Sequence, residues 1–329
     1  MNTILVTGAT GFLGKQLVEQ LRAQEPDARL RLLCRTESTE FDGDDKVEII
    51  LGDVLDREAF TRACQGVSQI YHLAGHVDRE PKEHWSQYDI HVEGVRNLCE
   101  AMLAARVEKG VYVSTSGVNA VGAEPVERDE KAPYAQDVVY EWPYYLSKIY
   151  AEKLAKWYCR HRKLSLTIVN PTLLLGPGDE RRSSIRDVEL FLKGQIMVIP
   201  VGGLNLVDVR DAARGCIKAM EKGRAGETYL LGGSNMTFHE WILRASKLSG
   251  VGSPKLMMPT WLTIWGAHIL RKLMPLIGKS YDFDDASIKM SALYWYCDSS
   301  KARRELGFTT RDANQTLRDT IEYLRKAAA

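Results

Sequence analysis

An apolar run, Ile4-Leu5-Val6, breaks into Thr7-Gly8-Ala9-Thr10-Gly11-Phe12-Leu13-Gly14 and from there into a helical pattern. This is the signature of a buried parallel strand that delivers the chain to a tight, nucleotide-binding turn. Gly8 and Gly11 leave room for a pyrophosphate, and the helix that follows offers free N–H groups and the positive end of its dipole. Gly14 lets that helix lie close to the sheet. The spacing G-x-x-G-x-x-G is one residue longer between its first two glycines than the standard dinucleotide fingerprint. The strand before it and the helix after it therefore carry the reading; without them the glycines would serve packing alone.

The second apolar run, Arg29 to Arg35, ends where the adenosine ribose of a dinucleotide would lie. A site for NAD(H) normally places a carboxylate there to grip both ribose hydroxyls. This chain has Arg35, whose guanidinium suits a 2′-phosphate, so NADP(H) is favoured over NAD(H). Glu37, which could reach back, keeps NAD(H) open. Gly52-Asp53-Val54 closes the third strand, where Asp53 either reads the adenine edge or caps a turn. Tyr71-His72-Leu73-Ala74-Gly75 ends the fourth, and its small residues let backbone approach a cofactor.

Strands are expected near residues 3–7, 29–35, 47–51, 69–73, 110–114 and 165–170, with helices between them. That alternation predicts an α/β fold, a Rossmann-type doubly wound parallel sheet. Residues 1–175 form the expected dinucleotide-binding core, and 176–329 a smaller mixed substrate lobe interleaved with it. Within the lobe a strand at 205–208 and a helix from Val209 are expected to return to the core. A strand at 228–231 and helices from Phe238, Trp261 and Asp312 follow.

Lys and Arg total 44 against 43 Asp and Glu, a formal net charge of +1. There is no general pull toward nucleic acid or an anionic membrane, and local patches remain open. The six cysteines lack metal-type spacing, so no metal site is expected and the thiols should be reduced in a cytoplasmic protein. The chain enters its first strand without a basic leader and apolar signal segment, so secretion is not expected.

Chemistry points to Tyr144-Tyr145-Leu146-Ser147-Lys148, in which Tyr144 and Lys148 share one helical face at i and i+4. A phenol with its ordinary pKa near 10 exchanges protons poorly at neutral pH, and a neighbouring ammonium is expected to lower it. Val111-Tyr112-Val113-Ser114-Thr115-Ser116 reads as a buried strand ending in hydroxyls at the same sheet edge.

These pieces, with Asn170-Pro171-Thr172, Gly176-Pro177-Gly178-Asp179, Asn205 to Val209 and Ser299 to Phe308, resemble the extended short-chain dehydrogenase/reductase family. The similarity runs over essentially the whole chain. It lies in the branch of dihydroflavonol 4-reductases, 3β-hydroxysteroid dehydrogenases and bacterial proteins called hopanoid-associated sugar epimerases. The resemblance implies that Ser116 orients a substrate oxygen, with Thr115 one residue away. Tyr144 gives or takes its proton, and Lys148 holds the nicotinamide ribose. It further implies cofactor contacts from Thr7, Gly8, Thr10, Gly11, Phe12, Leu13, Gly14, Arg35, Asp53, Val54, Leu73, Ala74, Gly75 and Ser114, with Pro171 and Thr172 bordering the nicotinamide. His91 stands where relatives usually carry Asn, and a structural partner for it is expected over an acid–base role. Val207-Asp208-Val209-Arg210-Asp211 also departs, by one rim charge. His76 is expected to face either the substrate or solvent.

Residues 256–277 are too broken by Pro259, Pro275 and charge to span a bilayer. Leu262, Trp265, Ile269 and Leu273 share a helical face, which means either core packing or an apolar lid over a lipophilic substrate, with a membrane surface as a place for such a lid to rest. Arg181, Arg182 and Arg186 keep an acidic substrate open. The first expectation is therefore an NADP(H)-dependent reductase or dehydrogenase of a bulky, lipophilic small molecule. An NAD-dependent sugar-nucleotide epimerase or dehydratase and a non-catalytic NADP(H)-binding regulator follow. A homodimer is expected through helices near 84–107 and 144–161, with Leu98, Leu154 and Trp157 as contacts.

Overall fold

Every apolar run of the amino-terminal half becomes a strand of one sheet. The computed structural model describes residues 2–41, 43–77, 84–258, 260–273 and 285–328. Strands β1 (Thr3–Thr7), β2 (Arg29–Cys34), β3 (Val47–Leu51), β4 (Gln69–His72), β5 (Lys109–Val113), β6 (Leu166–Pro171) and β9 (Thr228–Leu231) pair in the order β3-β2-β1-β4-β5-β6-β9. All six pairings are parallel. The chain winds outward from β1 to β3, then returns to build the other side from β4. The carboxyl ends of β1 and β4 therefore flank a topological switch point, where such sheets bind ligands.

Alternation along β1 sends Ile4 and Val6 to one face and Leu5 to the other. On the first face lie helices α1 (Phe12–Gln24) and α5 (Val209–Lys222), which bury Leu17, Leu21, Ala212 and Cys216. On the second lie α2 (Arg57–Ala63), α3 (Gly94–Ala105) and α4 (Pro143–Arg162), which bury Phe60, Leu98, Met102 and Ala151. Each such leucine removed from water contributes about 1.5–3 kcal/mol. The close seat of α1 depends on Gly14, where a Cβ would stand 2.0 Å from the Gly8 carbonyl oxygen. Ahead of α3, residues Asp89–Glu93 form a π-helical turn.

A second sheet, β10-β8-β7, holds β7 (Leu173–Leu175), β8 (Gly203–Asp208) and β10 (Ser234–Thr237). Strand β8 runs parallel to β7 and antiparallel to β10. The strand expected to return to the core therefore pairs in this smaller sheet, while the helix after it packs over the large one. Helices α6 (Phe238–Ser249) and α8 (Ala313–Lys326) cover the second sheet, with Trp241, Ile242, Leu317 and Ile321 in its core. Thr237 and Glu240 close a capping box at the start of α6.

Leu98 corrects the expected dimer contact: it is 0% exposed and packs under the sheet. Leu154 is partly buried beside it, and only Trp157 remains open, at 48%. All six cysteines are free. Among the described residues, no helix is long and apolar enough to cross a membrane.

Candidate active site

The carboxyl ends of β1, β4, β5 and β6 open onto one cavity of about 1180 Å³. Its first wall is the glycine turn. Gly8 adopts φ +74°, and a Cβ there would stand 2.7 Å from the Ala74 nitrogen, so the turn needs glycine on both counts. The Gly11 N–H donates to the Gly8 carbonyl at 3.0 Å. Thr7 ties the turn to β4: its Oγ1 lies 2.9 Å from His72 Nδ1 and accepts from the Ala74 N–H at 3.3 Å. Helix α1 has no side-chain cap and no acidic residue in its first turn. That leaves its orphan N–H groups for an anion, which fits a dinucleotide pyrophosphate.

Gly8, Gly11, Phe12, Leu13, Gly14, Leu73, Gly75, Ser114, Ser116, Tyr144, Lys148, Pro171 and Thr172 all line the cavity. The Thr172 hydroxyl is buried without a hydrogen-bond partner among the described residues, and so offers a polar contact to a bound ring or amide. Thr7, Thr10, Arg35, Asp53, Val54 and Ala74 lie outside that wall. Arg35 is exposed, immediately after β2. Asp53 Oδ1 accepts from the Leu55 N–H at 2.9 Å, the turn geometry that was one of its two expected roles. Val54 packs among the apolar residues beneath α3.

Helix α4 starts with Pro143 in its first turn and carries Tyr144 and Lys148 one turn apart. Lys148 Nζ donates to the Val113 carbonyl at 3.0 Å and sits 5.2 Å from the Tyr112 ring centroid. Burial pulls its pKa from 10.5 to about 8, with Glu152 opposing. For Tyr144, burial pushes the phenol well above its ordinary value, Tyr145 adds to the rise, and a hydrogen bond with the Thr115 side chain opposes it. The expected lowering by Lys148 is thus overturned. The ammonium is engaged by Val113, and desolvation dominates, so the phenol is neutral and a proton donor at neutral pH.

The two strand-end hydroxyls diverge. Thr115 bonds Tyr144 and accepts from the Gly117 N–H at 3.3 Å. Ser116, next along, begins a 3-10 turn and shares the cavity wall. Ser116, the expected substrate-orienting hydroxyl, and Thr115 both line the cavity, and Thr115 is the one that meets the phenol.

His91 has the structural partners expected of it. Its Nε2 accepts from the His76 N–H at 3.1 Å, which leaves Nδ1–H to donate to Ser147 Oγ at 2.8 Å. Ser147 in turn donates to the Tyr144 carbonyl at 2.9 Å. Burial, then Lys148, holds the imidazole pKa well below its usual value, so it stays neutral. Its ring meets Tyr144 edge-on, with centroids 5.5 Å apart. His76 itself lines the cavity.

Beside Tyr144, whose ring centroid lies 5.0 Å from that of Tyr145, the wall is apolar. Tyr145 and Trp295 have ring centroids 5.0 Å apart, Trp142 lies 6.3 Å from Trp295, and Leu174, Leu204 and Ile288 continue the surface. Nothing in the sequence linked Trp295 to Tyr145. Arg181, Arg182 and Arg186 also line the cavity; Arg182 pairs with Glu189. Their loop is fixed by buried Asp179, which accepts from the N–H groups of Ser184 at 2.8 Å and Ile185 at 3.2 Å.

Helix α7 (Thr260–Leu273) closes this side with Thr263 and Gly266. Of the expected stripe, Trp265 and Ile269 are 63% and 37% exposed and Leu262 is partly buried, so core packing does not hold for Trp265 and Ile269; Trp261 beside them is 70% exposed. The side chain of Leu273, and Pro259, Pro275 and Leu276, lie outside the described residues.

A sequence model of the family described as NAD dependent epimerase/dehydratase family matches residues 4–232. A Synechocystis protein provisionally named dihydroflavonol 4-reductase is 31% identical over 328 residues, spanning 97% of this chain and 94% of its own length. Sterol demethylase protein B of Methylococcus capsulatus is 30% identical over 336 residues, spanning 98% of both. Among solved structures, gox2253 superposes with a TM-score of 0.84 at 29% identity over 99% of both chains.

Proposed function

The chain belongs to the NAD dependent epimerase/dehydratase family, and from that membership we propose that it interconverts a ketone and a secondary alcohol on a bulky, lipophilic substrate with NADP(H). It is an NAD(P)-dependent enzyme of the extended short-chain dehydrogenase/reductase type. The observation that carries the finer reading is a neutral, buried Tyr144 phenol, bonded to Thr115, beside an aromatic wall. A phenol held protonated has a proton to give, and because its raised pKa makes it a weak acid, the transfer follows the build-up of negative charge on the substrate oxygen, as in reduction of a ketone.

When bound, NADP(H) supplies the hydride chemistry at the carbonyl carbon. The chain's own residues do the rest. The first turn of α1 holds the pyrophosphate, and Arg35 the 2′-phosphate. Thr115, with Ser116 beside it, orients the substrate oxygen, and Tyr144 donates the proton to it. Lys148 supports the phenol and the nicotinamide ribose. Trp142, Tyr145 and Trp295 exclude water and take the apolar body of the substrate. The name of the Methylococcus relative supports a substrate of sterol-like bulk. We further take the enzyme to be a cytoplasmic homodimer, supported by the exposed Trp157 on α4.

A second reading, an epimerase or dehydratase of an anionic sugar nucleotide, is favoured by Arg181 and Arg186 in the cavity wall. The intact Tyr144–Lys148 pair counts against a non-catalytic regulator. Titration of the purified protein with NADPH and NADH, followed by fluorescence, separates these readings. Arg35→Ala should weaken NADPH binding roughly ten- to a hundredfold, the worth of a charged hydrogen bond of about 1.5–3 kcal/mol, and leave NADH unchanged. Equal affinities in the parent protein, or NAD(+) carried through purification, would move the epimerase reading to first place.

A further inference from the structure

We propose that Glu152 is the positioning residue for the Lys148 ammonium: a buried counter-charge, fixed from two strands and the segment ahead of α4, that keeps the lysine protonated at the end of β5. Tyr144, Lys148 and Glu152 follow one another at four-residue spacing, so phenol, ammonium and carboxylate lie in line along one face of the helix. That face turns toward the sheet, and Lys148 is 4% and Glu152 1% exposed.

The carboxylate is held from several sides. Its Oε2 accepts from Asn170 Nδ2 on β6 at 3.1 Å. Its Oε1 accepts from the Thr228 hydroxyl on β9 at 3.3 Å, from the Tyr134 hydroxyl at 3.2 Å and from Lys156 Nζ at 2.8 Å. A charge this deep is costly unless it is hydrogen-bonded and shares the site with an opposite charge. Lys156, partly exposed, supplies one cation a turn further along the helix. Lys148, one turn back, is the second, and the attraction of Glu152 opposes the burial penalty on its ammonium.

Five other titratable groups face the pair: His72 on β4, His91 in the π-helical turn, Tyr112 on β5, Tyr134 and Tyr144. Burial pulls the imidazole of His72 down to about 3 and that of His91 well below its usual value. It pushes all three phenols well above theirs. None of the five changes charge between about pH 6 and 10, whereas Lys148, at about 8, does. A charged Lys148 is what the proposed reductase reading requires beside the phenol and the ribose. That use rests on the reading; the coupling of carboxylate to ammonium does not.

The test is a double-mutant cycle of Glu152→Gln and Lys148→Met in the full chain without nucleotide, with stability measured by urea unfolding at about pH 6 and about pH 10. Contributions from His76 and Lys156 are common to both arms and cancel. At the lower pH, Glu152→Gln should reduce the folded-to-unfolded ratio about tenfold more in the parent than in Lys148→Met. At the higher pH, where folded Lys148 is neutral, the two reductions should be equal. Equal reductions at both pH values would make Glu152 a structural buttress and overturn the proposal, as would an excess that persists at the higher pH. Glu152→Met, apolar and of similar length, carries the same expectations and serves where the glutamine variant does not fold. NADPH affinity followed by fluorescence should show its alkaline limb about one pH unit lower in Glu152→Gln than in the parent, the same tenfold effect read as a shift. A limb that stays in place overturns the positioning role. A limb absent from both proteins counts against the reductase reading and leaves the cycle intact.

Discussion

Replacing Lys148 with methionine should change how stability depends on pH, by an amount set by the burial of the ammonium. In the folded chain Lys148 titrates at about 8 because burial penalises its charge; its ordinary value is 10.5. At about pH 7 the group is charged in both folded and unfolded chains, and the folded state carries a cost of about 3 kcal/mol, the free-energy equivalent of that gap. As pH rises through the window from 8 to 10.5, the folded protein loses the proton first, and the cost disappears. The parent protein should therefore gain about 3 kcal/mol relative to Lys148→Met between about pH 7 and 10.5. The variant also loses the 3.0 Å bond to Val113 and the contact with the Tyr112 ring; both favour the charged lysine, so their pH-dependent part is already contained in its folded pKa and the rest is a constant offset. Urea unfolding followed by intrinsic fluorescence at a series of pH values measures this gap directly. Parallel stability curves for the two proteins would show that Lys148 is well solvated and refute the argument. Methionine should abolish turnover at every pH, since neither the ribose nor the phenol retains its cationic neighbour.

Two further substitutions divide the roles around Tyr144. Thr115→Ala should lower kcat about a hundredfold, and Thr115→Ser should restore most of it, whereas Ser116→Ala should change kcat only a few fold; the reverse order in a steady-state assay would return the substrate-orienting role to Ser116. His91→Ala removes bonds to Ser147 and the His76 N–H inside the protein and should destabilise the fold by about 1–3 kcal/mol in chemical denaturation. Because the His91 pKa lies well below its usual value, the limbs of the pH–kcat profile should not move in that variant, and a displaced limb would show an acid–base role.

The strands of the large sheet were legible because a parallel strand buried on both faces reads as an uninterrupted apolar run. Strands β7 and β10 were not. Leu173–Leu175 is too short to show a period, and Ser234–Thr237 is mostly polar; both exist because β8 offers them an edge. The Tyr144–Lys148 pair could be read from spacing, since a helix turns four residues into neighbours. Choosing between Thr115 and Ser116 required knowing that β5 ends at Val113 and that a 3-10 turn starts at Ser116, and a shift of one residue reverses which hydroxyl meets the phenol. The fall in the Tyr144 pKa predicted from its lysine neighbour failed for a related reason. Spacing reports proximity, while the balance of desolvation against attraction depends on where the ammonium donates.

Helix α7 shows most clearly what periodicity leaves undecided. The stripe of Leu262, Trp265, Ile269 and Leu273 is expected either to pack in the core or to form an apolar lid, because both places take apolar surface out of water. Here the inward side borders a cavity of about 1180 Å³, and the residues that line it, Thr263 and Gly266, are small. The large rings face outward at 70% and 63% exposure. The spacing of apolar residues fixes which side of the helix carries them, but not whether a core, a ligand or a lipid phase lies on that side.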